Sequence, residues 1–240
     1  MGYRPPMSEP NDIIYGVHPV AEALKNPKRK IYSLKASKNA ADRLAAEIAA
    51  RGLTPEIIHP NVLDKRLGAD AVHQGLLIEA KPLDQPRLDQ IEKSGIVVLL
   101  DQVTDPHNVG AILRTCAAFN VTALVATSRH SPEASAVLFK SASGAYEHVP
   151  FVKVTNLARA MAELKDYGFR ILGLDSEAPE DIAAVDRSPP VAIVLGAEGK
   201  GLRQLTRESC DHLVRLDMNG PIQSLNVSNA CAITLYALTR

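Results

Sequence analysis

The chain has 240 residues, no tryptophan and only three cysteines, Cys116, Cys210 and Cys231. The cysteines lie far apart and form no Cys-x-x-Cys pair, which excludes the common zinc-site patterns and a disulfide framework. We therefore expect buried thiols in a reducing compartment, and no bound metal.

Long apolar runs are also missing. No stretch approaches the roughly 20 apolar residues that span a bilayer. The first residues, MGYRPPMSEPND, lack the apolar core of a secretory signal peptide. We therefore expect no membrane contact and a cytoplasmic location.

Neither sign of charge dominates, since 27 basic residues balance 27 acidic ones. The balance hides a division, because residues 1–82 hold 12 basic and 9 acidic residues. The basic excess is concentrated in the run from Lys25 to Lys38, KNPKRKIYSLKASK, which contains six basic residues, no acidic one and a single aromatic. Such a run contacts phosphates if it lines one face, or forms a solvated loop, and the pattern leaves both open. The candidate phosphate contacts are Lys28, Arg29, Lys30 and Lys35.

The front of the chain alternates short strand and helix patterns, so residues 12–82 are predicted to form a small α/β domain. Its expected elements include a helix over 40–50 and a strand over 55–58. The following stretch, KPLDQPRLDQIEKS, is polar, contains two prolines and shows neither a helical nor a strand period. Residues 83–94 are therefore predicted to be a linker.

From Ile96 onward, fully apolar strand patterns alternate with helical patterns. The expected strands cover 96–100, 121–126, 151–154, 170–174, 191–195 and 212–216, and helices are expected over 108–119, 133–140, 157–167 and 202–208 and at the C-terminus. Apolar strands separated by helices indicate a parallel sheet that is covered on both faces. Residues 95–240 are therefore predicted to be one α/β domain.

Unusual residues follow these strands, where ligands bind in open parallel sheets. After the first strand comes DQVTDPHNVG, in which Asp105 or Asn108 can cap a helix that begins near Pro106. Arg114 follows in the apolar stretch AILRTCAAF, where its charge is either paired in a site or escapes to solvent. We favour the site, because an arginine among apolar residues needs a partner.

A second unusual stretch, GAEGKG, follows the strand over 191–195. It matches neither the dinucleotide fingerprint G-x-G-x-x-G nor the P-loop G-x-x-x-x-G-K-[ST]. Its glycines indicate a turn with positive φ or the close approach of a ligand to the backbone. Glu198 would repel phosphate, so a ligand with a cationic centre suits this loop better.

Three segments, DPHNVGAILRTCAAF, LGAEGKGL and LDMNGPIQSLNVSNACAI, together resemble the three motifs of the SpoU (TrmH) family of S-adenosylmethionine-dependent RNA ribose 2'-O-methyltransferases. The front segments YGVHPVAEAL and AVHQGLLIEAKPL are similar to the RNA-binding extension of members that methylate a guanosine of 23S ribosomal RNA. The resemblance implies a trefoil-knotted parallel-sheet α/β methyltransferase domain, a homodimer, ribosomal RNA as the partner and S-adenosylmethionine as the cofactor.

The resemblance also implies roles for individual residues. Catalytic roles fall on Arg114, Asn108, Glu198, Ser224 and Asn226. Cofactor contacts fall on Gly196, Leu216, Leu225, Thr127, Leu195, Gly201 and Met218. The chain departs from the family at Asp217, where members usually carry proline, and this departure concerns the backbone path of the cofactor loop.

The expected reaction needs an aligned ribose hydroxyl more than a strong base. Arg114, with a pKa above about 12, is a poor base, so we expect it to bind the adjacent phosphate and polarise the hydroxyl. Ser224 and Asn226 could instead serve as helix caps, and both roles can coexist. The alternatives are a 2'-O-methyltransferase for transfer RNA or another ribosomal RNA site, and a non-catalytic RNA-binding ribosome-assembly protein of the same fold.

Overall fold

The computed structural model describes residues 11–186, 188, 190–222 and 224–240. The chain forms two compact units. The first contains the described residues up to Asp84 together with Ala134–Lys140, and the second contains Gln85–Glu133 and Ser141–Arg240. Each unit has its own sheet.

The first unit is built on a four-stranded mixed sheet in the order β1-β4-β2-β3. β4 runs antiparallel to both β1 and β2, and β3 runs parallel to β2. Its elements are β1 (Asp12–Tyr15), α1 (Val17–Lys25), β2 (Ile31–Ala36), α2 (Lys38–Arg43), α3 (Ala45–Ala50), β3 (Glu56–Ile57), α4 (Asn61–Leu67) and β4 (Leu76–Ala80). The helix predicted over 40–50 is thus two helices separated at Leu44, and α4 was not predicted.

The second unit contains a seven-stranded sheet in the order β7-β6-β5-β10-β8-β11-β9, and every neighbouring pair is parallel. Its elements are β5 (Ile96–Asp101), α5 (Pro106–Ala118), β6 (Ala123–Thr127), β7 (Phe151–Val154), α7 (Leu157–Asp166), β8 (Arg170–Leu174), β9 (Glu180–Asp181), β10 (Val191–Gly196), α8 (Gln204–Glu208), β11 (His212–Arg215) and α9 (Val227–Leu238). The predicted α/β class with a parallel sheet is confirmed. The short edge strand β9 was not predicted.

The two central strands of this sheet are buried. Every residue of β5 is buried, as are Val191 to Leu195 of β10, which pairs with β5 in register from Val191 and Ile96 to Gly196 and Asp101. Each fully buried Val, Leu or Ile contributes about 1.5–3 kcal/mol relative to an exposed position. The apolar strands therefore fix the frame from which the polar loops at their carboxyl ends extend.

The segment predicted as a linker, residues 83–94, is packed instead. It contains a 3₁₀ helix, Leu88–Gln90, and the side chains of Leu88 and Ile91 are buried in the core of the second unit. Gln85 Oε1 accepts a hydrogen bond of 2.9 Å from the Phe151 amide. Two apolar residues three apart in a polar stretch were too few to show a helical period, which explains the error.

The segment 134–140 also departs from the predicted domain division. It forms most of α6 (Ala136–Ala142), which begins three residues later than predicted, and it belongs to the first unit although it lies within the predicted 95–240 domain. Leu138 and Phe139 are buried, and the Arg29 guanidinium lies 5.9 Å from the centre of the Phe139 ring. Sequence order alone could not reveal an excursion of this kind.

Candidate functional site

A cleft of about 380 Å³ lies at the carboxyl ends of β8, β10 and β11 in the second unit. Three loops and the start of α9 form its walls. The lining residues are Leu174, Asp175, Ser176, Leu195, Gly196, Ala197, Glu198, Gly199, Gly201, Leu216, Met218, Ser224, Leu225, Val227 and Ala230. Six of the seven predicted cofactor contacts lie in this set, and Thr127 does not.

The glycine-rich loop after β10 folds back on itself. A Cβ atom on Gly196 would lie 2.2 Å from the Gly201 carbonyl carbon, so no larger residue fits at this position without moving the backbone. The Gly201 amide donates a 2.9 Å hydrogen bond to the Ala197 carbonyl. Gly199 and Gly201 both have positive φ, +73° and +64°. Both physical reasons predicted for these glycines therefore apply, although the close approach is made by the loop's own backbone.

Three predicted catalytic residues meet at the edge of the cleft. Asn108 Nδ2 lies 3.2 Å from Glu198 Oε1, and Asn226 Nδ2 donates to Glu198 Oε1 at 2.6 Å and to Asn108 Oδ1 at 3.0 Å. Glu198 Oε1 also accepts a 3.3 Å hydrogen bond from the Val227 amide at the start of α9, where a negative charge is favourable. This polar cluster joins three segments that are far apart in sequence.

Helix caps hold the cluster in place. Asp105 Oδ1 accepts from the His107 amide at 2.9 Å and starts α5, which carries Asn108. Asn226 Oδ1 accepts from the Ser228 amide at 2.9 Å and starts α9. Asn226 is therefore both a helix cap and a member of the cluster, as the sequence allowed.

A second, smaller cleft of about 240 Å³ lies against the same cluster. Asn108, Ala197, Glu198 and Val227 contribute to it, and the loop from Gln102 to Asp105 forms its other wall. Gln102 has φ +60°, an unusual value for a residue with a side chain. Glu198 and Val227 line both clefts, so the cluster lies between two spaces large enough for a ligand group.

Two ion pairs fix α8 beside the main cleft. The fully buried Asp101 carboxylate accepts from Arg203 Nε at 2.7 Å and from the Arg203 amide at 2.9 Å. Asp175 pairs with Arg207 and lines the cleft, with only 8% of its side chain exposed. Asp175 was missed by the sequence reasoning, although an aspartate directly after a buried strand could have identified it.

The departure from the family at Asp217 has a local explanation. The Asp217 amide, which a proline would lack, lies 3.2 Å from Asp181 Oδ2, and Asp217 Oδ1 accepts from Arg215 Nε at 2.7 Å. Leu216 and Met218 on either side still line the cleft. The substitution therefore keeps the loop in place through an added hydrogen bond.

Arg114 is not part of the cluster within one chain. It is exposed on α5 and makes no hydrogen bond or ion pair within the described part of the chain. It follows Asn108 by six residues, which turns its side chain through about 240° around the helix axis. The described residues of one chain therefore supply no partner for Arg114, because α5 directs this side chain to solvent, and its catalytic role stays a prediction.

Thr127 lies elsewhere, at the end of β6, in a cleft of about 250 Å³ whose polar walls include Arg129, Asn156 and Arg203. Its hydroxyl is buried and has no hydrogen-bond partner within the described residues. Its predicted contact with the cofactor in the main cleft is not supported by this position, because β6 and β10 are separated by β5.

The basic run of the first unit divides into two kinds of residue. Lys28 and Lys30 are exposed, and Lys35 is half-buried and pairs with Glu56 at 2.9 Å. Arg29 is fully buried, and its Nη1 donates to Asp12 Oδ2 at 2.5 Å. The prediction that Arg29 contacts RNA is therefore wrong, because its guanidinium points into the protein.

The cysteines are free thiols in apolar surroundings. Cys116 and Cys231 are buried, and burial together with their mutual hydrogen bond holds the pKa of Cys116 well above its ordinary value. Burial raises the pKa of Cys210 to about 12. Within the described ranges, no group of three or more His, Cys, Asp or Glu side chains is placed to hold a metal ion. The helices that are described include none long and apolar enough to cross a membrane.

Comparison with known proteins gives the family. Residues 95–236 match the SpoU rRNA Methylase family, and residues 13–86 match the family described as RNA 2'-O ribose methyltransferase substrate binding. The chain is similar to 23S rRNA (guanosine-2'-O-)-methyltransferase RlmB of Vibrio vulnificus, with 42% identity over 96% of this chain and 97% of the relative. It is 33% identical to the TrmH family protein YacO of Bacillus subtilis, whose name includes both tRNA and rRNA, over 98% of this chain and 97% of the relative.

Solved structures share the fold. The SpoU methyltransferase AviRb of Streptomyces viridochromogenes, crystallised in complex with the cofactor AdoMet, superposes with a TM-score of 0.80 over 95% of this chain and 89% of that chain, at 23% identity. An RNA 2'-O ribose methyltransferase structure superposes with a TM-score of 0.79 at 21% identity, over 96% of this chain and 88% of that chain. The sequence motifs, the cleft and these matches agree: the chain belongs to the SpoU rRNA Methylase family.

Proposed function

We propose that this protein transfers a methyl group from S-adenosylmethionine to the ribose 2'-hydroxyl of a guanosine in 23S ribosomal RNA. The observation that carries the proposal is the cleft that contains six of the seven predicted cofactor contacts, with the Asn108–Glu198–Asn226 cluster at its edge. The family match and the names of full-length relatives support the same reaction and the same RNA.

The residues of the cleft fit the cofactor. Its volume of about 380 Å³ falls in the range of about 300–1,000 Å³ that is typical of small-molecule sites. Leu195, Leu216 and Leu225 offer apolar walls for an aromatic base, while the Asp175 and Glu198 carboxylates suit hydroxyl and cationic groups. When bound, S-adenosylmethionine supplies an activated methyl group on a sulfonium. Within this chain the glycine loop and the three leucines would hold it.

The second cleft is the proposed place of the target nucleotide. Because Glu198 and Val227 line both clefts, a ribose held between Asn108 and the loop from Gln102 to Asp105 would lie next to the methyl donor. The polar cluster would fix the orientation of the ribose hydroxyl, and alignment of this kind supplies most of the rate gain in such a transfer. Ser224, which also lines the main cleft, would complete the contacts.

Arg114 acts in this proposal through a homodimer. The last helix exposes Ile233 and Tyr236, which are three residues apart and therefore share a face, with 47% and 52% of their surfaces exposed. A dimer that covers this face would also bring the exposed guanidinium on the neighbouring α5 close to a second protomer. There Arg114 would bind the phosphate next to the target ribose and polarise the hydroxyl, because a guanidinium is too weak a base to remove its proton. Light scattering in solution measures the dimer directly.

Membership of the family implies two further features, which are part of the proposal. The proposed chain path is a trefoil knot at the C-terminal end of the sheet. The proposed location is the cytoplasm, which is consistent with relatives named for methylation of 23S ribosomal RNA. Transfer RNA is the second candidate substrate, because the name of the Bacillus subtilis relative includes it.

Purified protein, labelled S-adenosylmethionine and either 23S ribosomal RNA or total transfer RNA test the reaction. We expect label in 23S ribosomal RNA, at one guanosine whose 3' linkage resists alkaline hydrolysis because its 2'-oxygen is methylated. Label in transfer RNA only would overturn the choice of substrate. Label in neither RNA, with the cofactor bound, would favour the non-catalytic RNA-binding alternative.

A further inference from the structure

Tyr32 is an exposed aromatic residue in the middle of the basic run of the first unit. Half of its surface, 50%, is exposed, although the strand that carries it, β2, is an interior strand of the sheet. The Lys30 ammonium lies 5.6 Å from the centre of the ring, within the distance of a cation–π contact. The ring therefore presents a large aromatic surface to solvent next to exposed positive charge.

A β-bulge places Tyr32 in this position. On β2, Ile31 faces Ala80 and Ser33 faces Glu79, so β2 advances by two residues where β4 advances by one. Tyr32 is the extra residue. Bulges of this kind redirect a side chain and are frequent beside binding sites. In the part of the chain that is described, β3 pairs with β2 at Lys35 and Ala36, so the β2 segment around Tyr32 has no neighbouring strand on that side.

The segment before Tyr32 is held firmly. The buried Arg29 donates to Asp12 and to the Lys81 carbonyl, at 2.5 and 3.0 Å, and the Arg29 carbonyl accepts from Arg51. The Lys30 carbonyl accepts from the Lys81 amide at 2.8 Å. Arg29 thus acts as an anchor that fixes the residues on either side of it.

Anchoring at Arg29 leaves its neighbours facing solvent. Lys28 and Lys30 are exposed, and Tyr32 follows two residues after Lys30. An exposed aromatic ring with the Lys30 ammonium beside it, in a run that also exposes Lys28, matches the chemistry of single-stranded RNA, whose bases stack on aromatic side chains while its phosphates bind cations. Because the backbone before Tyr32 is held by the contacts of Arg29 and Lys30, ordering this segment costs little conformational entropy on binding.

We infer that Tyr32 is a stacking platform for an unpaired RNA base, with Lys30 and Lys28 holding the adjacent phosphates. This inference rests on the proposed function, since it adds a contact for the RNA substrate in the first unit. It also gives separate tasks to the neighbouring residues of the basic run: Arg29 supports the segment, the lysines supply charge and Tyr32 recognises an unstacked base.

The test uses the full-length protein and a fluorescently labelled ten-nucleotide oligoadenylate, with an RNA duplex of equal length for comparison. We expect Tyr32→Ala to weaken oligoadenylate binding by about 5- to 100-fold, the range of losing one base–aromatic stack. Tyr32→Phe should bind like the wild type and Tyr32→Leu like the alanine variant, since only the phenyl ring can stack. The matched control is Ile57→Ala, which removes another exposed side chain of the same sheet.

Salt dependence separates stacking from charge. Tyr32→Ala should leave the slope of log K against log salt unchanged, whereas Lys30→Ala should reduce it by about 0.7. The lack of tryptophan adds a direct probe, because Tyr32→Trp becomes the only tryptophan of the chain. Its fluorescence should be quenched by oligoadenylate and much less by the duplex, while Val72→Trp, at another exposed position of the same unit, should not respond.

The inference is overturned if Tyr32→Ala binds oligoadenylate like the wild type, if Tyr32→Leu binds like Tyr32→Phe, or if the wild type binds no single strand. Methyl transfer distinguishes this failure from failure of the proposed function. If Tyr32→Ala binds oligoadenylate like the wild type and the protein still methylates 23S ribosomal RNA, the platform is absent and the proposed activity stands. A protein that binds oligoadenylate through Tyr32 and transfers no methyl group keeps the platform and lacks the activity.

Discussion

The cleft of the second unit and the basic run of the first unit are built in different ways. The cleft collects loops that are far apart in sequence, and the Asn108–Glu198–Asn226 cluster joins residues separated by up to 118 positions. The basic run is contiguous, and one buried ion pair between Arg29 and Asp12 holds it. A site of the first kind depends on backbone paths that several loops share, whereas a surface of the second kind depends on a single anchor. Each can therefore be broken at a different point.

The largest loss of ligand binding is expected at the glycine loop. Gly196→Ala places a Cβ atom 2.2 Å from the Gly201 carbonyl carbon, so the loop that walls the cleft must move. We expect S-adenosylmethionine binding, measured by calorimetry in the presence of a chelator, to weaken by about 100-fold or more, since several backbone contacts are lost together. Gly220→Ala is the matched control, because its Cβ would meet nothing within 4 Å. Equal affinity of the two variants would contradict the proposed role of the loop.

The anchor of the basic run is tested next. Arg29→Met removes the cation that pairs with the buried Asp12 carboxylate, and breaking a buried pair costs about 3–5 kcal/mol. Lys30→Met, one residue away on the exposed side, should change the free energy of unfolding by less than about 0.5 kcal/mol. Denaturant unfolding followed by circular dichroism measures both. Similar changes in the free energy of unfolding for the two variants would contradict the role of Arg29 as the buried anchor.

Arg114→Lys probes a residue that stands outside the cluster in one chain. Lysine keeps the charge but not the planar fork of donors, so a hold on phosphate and ribose together is lost. We expect the single-turnover rate of methyl transfer at saturating RNA and cofactor to fall by about two orders of magnitude, with folding and cofactor affinity retained. A lysine variant with the wild-type rate would remove Arg114 from the catalytic residues.

A half-exposed ion pair in the second unit gives the smallest effect and a comparison for Arg29. Burial raises the pKa of Asp211, but the hydrogen bond from the Ile171 amide and the ion pair with Lys165 outweigh it and hold that pKa below its ordinary value. A depressed carboxylate pKa stabilises the fold above the unfolded-state pKa, and this contribution is lost as the pH falls through the folded-state pKa.

Asp211→Asn should therefore destabilise the protein by less than about 1 kcal/mol at pH 7, and the difference from the wild type should shrink as the pH falls below about 4. Thermal unfolding between pH 3 and pH 7 measures this dependence. A difference that grows toward low pH would contradict the assigned direction of the pKa shift.

The sequence predicted the second unit better than the first for a physical reason. An apolar run such as Ile96 to Leu100 favours a buried strand of a parallel sheet, and polar loops that follow such strands meet at one edge. The positions of Asn108, Glu198 and Asn226 follow from that rule together with the family motifs, and the family prediction is confirmed.

Other features depended on tertiary packing that no local pattern encodes. Arg29 and Lys30 are adjacent cations, and only the position of Asp12 across the sheet decides which of them is buried. The 134–140 segment joins the first unit through buried side chains such as Phe139, and Leu88 and Ile91 turn an apparent linker into part of a core. The side-chain direction of Arg114 follows from helix geometry. The sequence does not indicate whether its guanidinium contacts solvent or a second protomer.

The central claim is that the polar cluster beside the cleft supports 2'-O-methylation of ribosomal RNA. The most direct measurement is a map of ribose methylation in 23S ribosomal RNA from cells in which the gene is deleted. The same map is made from deletion cells that are complemented with the wild-type gene or with the Glu198→Gln variant. Glu198→Gln keeps the shape of the side chain but removes the charge that Asn108, Asn226 and the α9 amide surround. We predict that one guanosine loses its 2'-O-methyl group, that the wild type restores it and that the variant, expressed at an equal level, does not. An unchanged map in cells without the protein, or full restoration by the variant, would contradict the account.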